Sequence, residues 1–517
     1  MLNPPQAGFS IYSVAEWTPN PAFIRLRLTN DEQSSYECGS IGDNTEHVVE
    51  PPEPRRGSTF SFIDYVTMEF QSIKRFSLSN SPLLRLFVAA FLFRLAFIAV
   101  FTGPNYFEGI TDSYVQAMDN LLNGRGLTVY VDVAPLSSPE RDFRYEPFID
   151  RPLGYVFLAL PAYAIWQSAV AIQVLHAFMG AAACVLMFLV GRKIVAERAA
   201  VRAAWLLALW PLSARFEVAV LPDSVMPFFL LLASWLLLEA RDRGWNFRWS
   251  ATVGISLAAG MTMRPDMLFL PIFLLAGVWL ADRKLPSIGA LGSATAAIVL
   301  VLGLHTWRNY EATEGNIAPL GLGNGISMWE GISQFGDTLG TLYGDMRLAE
   351  KEGYASWAYP DGIERDRARF AEALGIIRDN PGFYMLHMFK RIPVLLTPDW
   401  IMTRKFAPSL MEHLQEQKGN SIGSYVSAYP GAAATRALVI GLQWASLALA
   451  AVVMFRIRPL RLVWFPSAVI VYYIAVHIPT NTEARYFYPV IPFVLMLAST
   501  GWDLLRRSPE TEDFRAR

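Results

Sequence analysis

Polar and apolar residues separate into long blocks along this chain. Residues 1 to 58 are rich in Pro, Ser, Asn and acids and have no lasting apolar period, which predicts a flexible cytosolic tail with no signal peptide in it. Phe62, Ile63, Val66, Phe70 and Ile73 then fall at helical spacing and end in Lys74 and Arg75, the pattern of a helix lying on the bilayer surface. Apolar spans follow near 83-102, 169-191, 200-214, 223-240, 249-263, 266-281, 286-306, 433-455, 460-478 and 487-505. Several are shorter than the roughly 20 residues that a bilayer-crossing helix prefers. The pattern predicts an all-α polytopic membrane protein with about ten transmembrane helices.

Charge in the connections supplies an orientation. With the N-terminus inside, the inside loops carry Arg192, Lys193, Arg198 and Arg202, then Arg241, Arg243 and Arg248, then Arg283 and Lys284, then Arg456, Arg458 and Arg461, and last Arg506 and Arg507. Every one is basic, as the positive-inside rule requires. Two long segments then lie outside. In the first, 103 to 168, the stretch from Arg151 to Gln167 is apolar but interrupted by Pro152 and Pro161, and predicts a helix along the outer surface. The second, 307 to 432, is polar, with turn signals at Gly321, Gly323 and Gly325 and a charged helical stretch from Glu364 to Asp379. No strand precedes that glycine cluster, so it reads as a turn, not as a phosphate loop. The resulting divisions are 1-80 for the tail, 81-306 for a first membrane module, 307-432 for an extracytoplasmic segment and 433-517 for the last membrane helices and a short inside tail.

Composition narrows the classes further. The chain of 517 residues is 53% hydrophobic and only 17% charged, against about 25% charge for a soluble domain. Its 44 basic and 45 acidic residues leave no excess to suggest a nucleic-acid partner. Two cysteines exclude a disulfide framework, and six histidines without paired spacing predict no dedicated metal site. The absence of Asn-x-Ser/Thr sequons and of retention signals fits a bacterial inner membrane.

Charged residues beside membrane spans are costly and by default functional. Apart from the inside set, they gather at outer ends: Asp112; Asp150 and Arg151; Arg215, Glu217 and Asp223; Arg264 and Asp266; His305 and Arg308; His477, Glu483 and Arg485. Any one of them is as readily a solvated helix end. As a set, acids with arginines suit a phosphorylated lipid headgroup, because Arg offers a permanently charged planar fork to phosphate oxygens. Arg94 stands apart at mid-depth of the first span, where an ion pair is the preferred reading.

The order of these motifs resembles that of the GT-C glycosyltransferases, polytopic enzymes that include protein O-mannosyltransferases and the aminoarabinose transferase of lipid A. The resemblance is carried by Thr111-Asp112-Ser113-Tyr114, Asp150-Arg151-Pro152-Leu153, Leu221-Pro222-Asp223-Ser224, Thr262-Met263-Arg264-Pro265, Thr306-Trp307-Arg308-Asn309-Tyr310 and Ala484-Arg485-Tyr486. Leu153 stands where that family often has a second proline, and the tail before residue 80 has no counterpart in it. The resemblance implies outer-surface juxtamembrane helices and an inverting transfer of a sugar from a polyprenyl-phosphate donor to an acceptor hydroxyl at the extracytoplasmic face.

The roles it implies are Asp112 as catalytic base, Arg264, Arg308, Arg485 and Arg151 on the donor phosphate, and Asp150, Glu217, Asp223, Tyr486 and His477 in support. From the residues alone, Asp112 serves equally well as a helix N-cap. No cofactor is required beyond the lipid-linked donor, divalent-metal dependence is left open, and the partners are membrane lipid and a glycan, lipid or protein acceptor. The competing class is a polytopic transporter or flippase for a lipid-linked or anionic substrate, which would favour repeated halves and helices broken at mid-membrane. An inactive relative serving as a receptor is a third.

Overall fold

The computed structural model describes residues 81–102, 110–336, 338–398, 407–408, 410, 413–414, 421–456 and 463–506. The tail, the interfacial helix expected near residue 70 and Cys38 lie outside the described residues.

Helices dominate because apolar runs of this length satisfy their backbone polar groups internally, as a bilayer demands. Among the described residues, seven helices are long and apolar enough to cross a membrane: Pro82–Phe101, Ala169–Ile194, Pro222–Asp242, Pro265–Asp282, Ile288–Ala312, Pro430–Phe455 and Ala484–Arg506. The chain is thus an all-α, multi-pass membrane protein. The other three expected spans form shorter helices, Phe247–Met263 and Trp464–His477 being two of them. The third, 200-214, is broken into Glu197–Ala208 and Pro211–Val218, because Pro211 starts a new helix instead of continuing the old one.

We number the helices that position the site α1 (Pro82–Phe101), α2 (Ile110–Leu122), α3 (Gly154–Ile165), α4 (Ala169–Ile194), α5 (Glu197–Ala208), α6 (Pro211–Val218), α7 (Met226–Asp242), α8 (Phe247–Met263), α9 (Leu270–Asp282) and α10 (Ile288–Ala312). After them come α11 (Asn324–Ser333), α12 (Asp345–Glu352), α13 (Gly362–Asp379), α14 (Pro381–Leu396), α15 (Ile422–Ala428), α16 (Pro430–Arg456), α17 (Trp464–His477) and α18 (Ile491–Arg506). The surface helix expected after Arg151 is α3, and the charged stretch is α13. One element was not expected: an antiparallel hairpin of β1 (Thr128–Asp132) and β2 (Phe143–Pro147), with Tyr130 opposite Tyr145.

The break between α5 and α7 is buried from Leu212 to Val225, so its free carbonyls need side-chain partners. Arg94 on α1 donates to the carbonyls of Ala90 and Ala208 at 3.1 Å each. His176 donates from Nδ1 to Glu217 O, Gln173 donates to Val218 O, and the Ser224 hydroxyl serves Phe216 O and Ala219 O. Arg94 also pairs with Glu217 at 2.5 Å, and Tyr488 donates to the same carboxylate at 3.1 Å. Glu217 rests directly against Gly180, where a Cβ would collide with its oxygens.

The two ends of the bundle differ. At one end ion pairs tie the basic loops together: Lys193 to Glu239 and Asp242, Arg241 to Asp282 through two hydrogen bonds, and Arg202 to Asp503. These pairs join the ends of α4, α7, α9 and α18 and the middle of α5, elements far apart in the chain. The opposite ends of the same helices carry the turns at 222–223, 264–266 and 484–486, and there α2, the hairpin, α3 and the segment α11 to α14 gather.

Candidate functional site

Three turns are built alike. Leu221, Arg264 and Glu483 each have extended backbone immediately before a 3-10 turn that leads into a membrane helix. For Leu221 and Arg264 the cause is the following proline, which disfavours helical geometry in the residue before it. The helix α8 therefore stops at Met263, and Arg264 leaves its axis.

Arg264 is the hub. It donates from Nη1 to Asp223 and from Nε to Asp266 at 2.8 Å, and its guanidinium lies 4.9 Å over the Tyr486 ring. Asp266 also receives His477 Nε2 at 3.3 Å, and the His477 and Tyr486 rings stack 4.9 Å apart. Arg485 pairs with Glu483 at 2.8 Å, and its guanidinium lies 5.4 Å from the centroid of the same Tyr486 ring. The side chains are enclosed, Arg264 at 13% exposure and Arg485 at 11%, so these contacts act with little screening by water.

A second polar group adjoins the first. Asp150 is buried beside Arg151, with 3.9 Å between Oδ2 and Nε, and burial pushes its carboxyl up while Arg151 and a hydrogen bond from Ser113 pull it down. Arg151 spreads over the Trp357 ring. Tyr114, one residue after Ser113, is buried among the charges of Arg151, Asp150, Asp223 and Arg264, and burial drives its hydroxyl up. Tyr114 therefore bridges the two groups. Its neighbour Asp112 is exposed, and it accepts a hydrogen bond from Gln116 at 2.6 Å. Protein around Asp112 still raises its carboxyl, Gln116 opposes the rise and Asp119 adds to it. Asp112 lies within the first turn of α2, not ahead of the helix as a cap would.

The glycine cluster proves to be a buttress for Asp150 and Arg151. Gly321 has φ +102° and packs against Ile149 O and the Arg151 backbone, where any Cβ would press within 3.2 Å of three backbone atoms. Leu322 N–H donates to Ile149 O at 3.0 Å. On the opposite flank, His305 accepts the Leu153 N–H and donates to Pro319 O.

The structure does not bring every expected residue together. Arg264, Arg485, Asp223, Tyr486 and His477 converge, and Asp150 and Arg151 adjoin them. Arg308 is spent elsewhere: its guanidinium donates to Phe148 O at 2.7 Å and Leu127 O at 2.8 Å, tying α10 to the open end of the hairpin, where the two strands enter and leave. Glu217 belongs with Arg94 in the bundle interior. Asp266 and Glu483 turn out to hold the two central arginines, although the sequence offered them only as charges at helix ends. Among the described residues no group of three or more His, Cys, Asp or Glu side chains is arranged to hold a metal.

A multi-pass membrane protein with its enclosed acids and arginines at one end of the bundle is the class that fold and site define. Residues 150–307 match the family model described as dolichyl-phosphate-mannose-protein mannosyltransferase, a glycosyltransferase family of the GT-C type. The resemblance read in the motifs is thereby borne out over that segment, which contains Asp150, Arg151, Glu217, Asp223 and Arg264 but not Asp112, Arg308 or Arg485. No curated protein matches the chain.

Among solved structures, the apo oligosaccharyltransferase of Archaeoglobus fulgidus aligns at 15% identity and TM-score 0.44 over 83% of this chain and 52% of its own. The oligosaccharyltransferase AglB from the same organism, in complex with an inhibitory peptide and a dolichol-phosphate, aligns at 14% and 0.43, over 83% and 51%. ArnT from Cupriavidus metallidurans bound to undecaprenyl phosphate aligns at 14% and 0.32, over 82% and 77%. The chain spans about half the length of the archaeal protein.

Proposed function

We propose that this protein is an inverting glycosyltransferase that takes a sugar from a polyprenyl-phosphate donor and passes it to an acceptor hydroxyl on the extracytoplasmic side of a bacterial inner membrane. The observation that carries this reading is the convergence of Arg264 and Arg485 with acids from three separate turns beside Tyr114, on the helix of Asp112. The acids fix the arginine planes. Arg264 uses Nε and Nη1 for Asp266 and Asp223, so its Nη2 is the donor left to meet a phosphate oxygen. Asp112 takes the proton of the acceptor hydroxyl as its oxygen bonds to the anomeric carbon from the face opposite the phosphate. The bond from that carbon to the phosphate oxygen breaks with its electron pair, and the arginines stabilise the polyprenyl phosphate that leaves. Arg151 is a further phosphate contact in this reading. Arg308, held by carbonyls, positions the hairpin instead.

Membranes containing the protein, incubated with a panel of radiolabelled polyprenyl-phosphate sugars, are expected to consume one of them. Arg264→Lys and Arg485→Lys should each weaken donor use by at least about tenfold, because Lys keeps the charge but not the planar fork. No consumption of any donor would remove the proposal, and unimpaired Lys variants would reduce both arginines to helix-end solvation.

The sidedness has its own check. In intact cells, single cysteines placed at 192–202 should be shielded from an impermeant thiol reagent and ones at 340–360 labelled, because the ion-paired basic end is held inside. Equal labelling of both would invert or abolish the assignment.

A further inference from the structure

Asp112, Gln116 and Asp119 fall at helical spacing on one face of α2, and that face meets β1 of the hairpin. Gln116 is fixed from both sides. Its Oε1 accepts the backbone N–H of Tyr130 at 3.0 Å, and its Nε2 donates to Asp112 Oδ2 at 2.6 Å. The order of these bonds matters: a backbone N–H is only a donor, so it holds the amide oxygen on the hairpin side and turns the NH₂ group toward the carboxylate. A flipped amide would set two donors against each other at Tyr130 and an oxygen against an oxygen at Asp112.

We propose that Gln116 is the positioning residue of the transfer reaction, a relay that lets the hairpin lock the Asp112 carboxylate with Oδ2 occupied and Oδ1 turned to the acceptor hydroxyl. This rests on the reading of Asp112 as the base. A base hydrogen-bonded at one oxygen keeps its lone pair at the other, and its plane is set before the acceptor arrives, which is where positioning contributes rate. The hairpin in turn is held at its open end by Arg308 through Leu127 O and Phe148 O, and by the Asn120 side chain on Thr128 O. Rigidity thus passes from α10 through the hairpin to Gln116.

The charged neighbour acting on Asp112 among the described residues is Asp119, one turn beyond Gln116, whose carboxylate accepts the Tyr163 hydroxyl of α3 at 2.9 Å. From the hairpin side, the group that faces this stripe is the uncharged Tyr130 N–H. Donation by Gln116 favours the ionised form of Asp112. Removing it raises the pH at which the base becomes available.

The test is the pH dependence of sugar transfer by the full-length protein in detergent or vesicles, with donor binding measured beside it. Gln116→Glu keeps size and shape but sets an acceptor against Asp112. Its acid limb should move to higher pH, so that the rate is about tenfold below the unsubstituted protein at the acid end and converges toward it at the alkaline end. Gln116→Leu should lose rate at every pH and also show the shifted limb. Donor affinity should be unchanged in both. An unshifted acid limb in Gln116→Glu, with Asp112→Asn inactive in the same assay, would overturn the relay while leaving the base intact. Transfer by Asp112→Asn would instead remove the reading on which the relay rests.

Discussion

Asp112→Asn should bind the lipid-linked donor normally and transfer its sugar about 10² to 10⁴ times more slowly, the usual worth of a positioned general base. Asparagine keeps the size of the side chain and can still accept the Gln116 N–H at its carbonyl oxygen, so α2 and the hairpin should stay in place. What it loses is the proton acceptor. The pH profile should carry the same assignment. Protein surroundings and Asp119 both hold the Asp112 carboxyl above its ordinary value, and Gln116 only partly offsets them. With Asp112 as the proposed base the ionised form is the active one, and the rate should rise with pH on a limb that lies above that of a free aspartate, and fall toward zero as acid protonates the carboxylate. Asp112→Glu moves the carboxylate by one methylene away from Gln116 and should recover only part of the rate. Transfer rate and donor affinity measured on the same purified variants decide the matter. Near-normal transfer by the Asn variant would move the role to Asp150, the buried acid that is hydrogen-bonded by Ser113 of α2 and whose carboxyl is also held high.

This expectation departs from the sequence in one respect. The sequence grouped Asp112 with the arginines at the outer ends, yet the groups that act on it are Gln116 and Asp119, while Arg151, Arg264 and Arg485 serve Asp150, Asp223, Asp266 and Glu483. Charges beside prolines in apolar runs made the turns at Asp223 and Arg264 legible, and a charge before an apolar run the turn at Arg485, because hydropathy and the proline rule both operate locally. Which charge meets which does not follow from local rules. Arg308 and Arg264 look alike in sequence, each at the end of an apolar helix, but one finds two carbonyls and the other two carboxylates. The hairpin is not legible in the sequence for a related reason. Its strands are joined by ten residues with Pro135 and Pro139 and no two-residue turn signal, and its inner face is held by Asn120, Gln116 and Arg308, partners that no alternation of polar and apolar residues announces.

Arg94→Met should be the most destabilising single change in the bundle, by about 3–5 kcal/mol, the typical cost of stranding one partner of a buried ion pair. The physical reason is specific to this site. Arg94 is 1% exposed and serves three clients at once: the Glu217 carboxylate and the carbonyls of Ala90 and Ala208. Methionine fills the volume but leaves an unpaired carboxylate in the interior and reopens the Ala208 carbonyl at the break between α5 and α6. Arg94→Lys should fall between, because an ammonium is a point donor and cannot reach the carboxylate and the helix end in one plane. The double variant Arg94→Met with Glu217→Gln should recover a large part of the loss, since the amide removes the stranded charge and can still accept the Tyr488 hydroxyl. Gly180→Ala tests the same clasp from the other side: a methyl there displaces the Glu217 carboxylate without touching any charge. Since α6 leads directly into the turn that carries Asp223, loosening the clasp should also lower transfer by letting the partner of Arg264 drift. Unfolding followed by tryptophan fluorescence in detergent gives the stabilities, and transfer assays below the unfolding midpoint give the coupling. A single Met variant as stable as the unsubstituted protein would mean that the break is held by packing alone, with the ion pair contributing nothing to it.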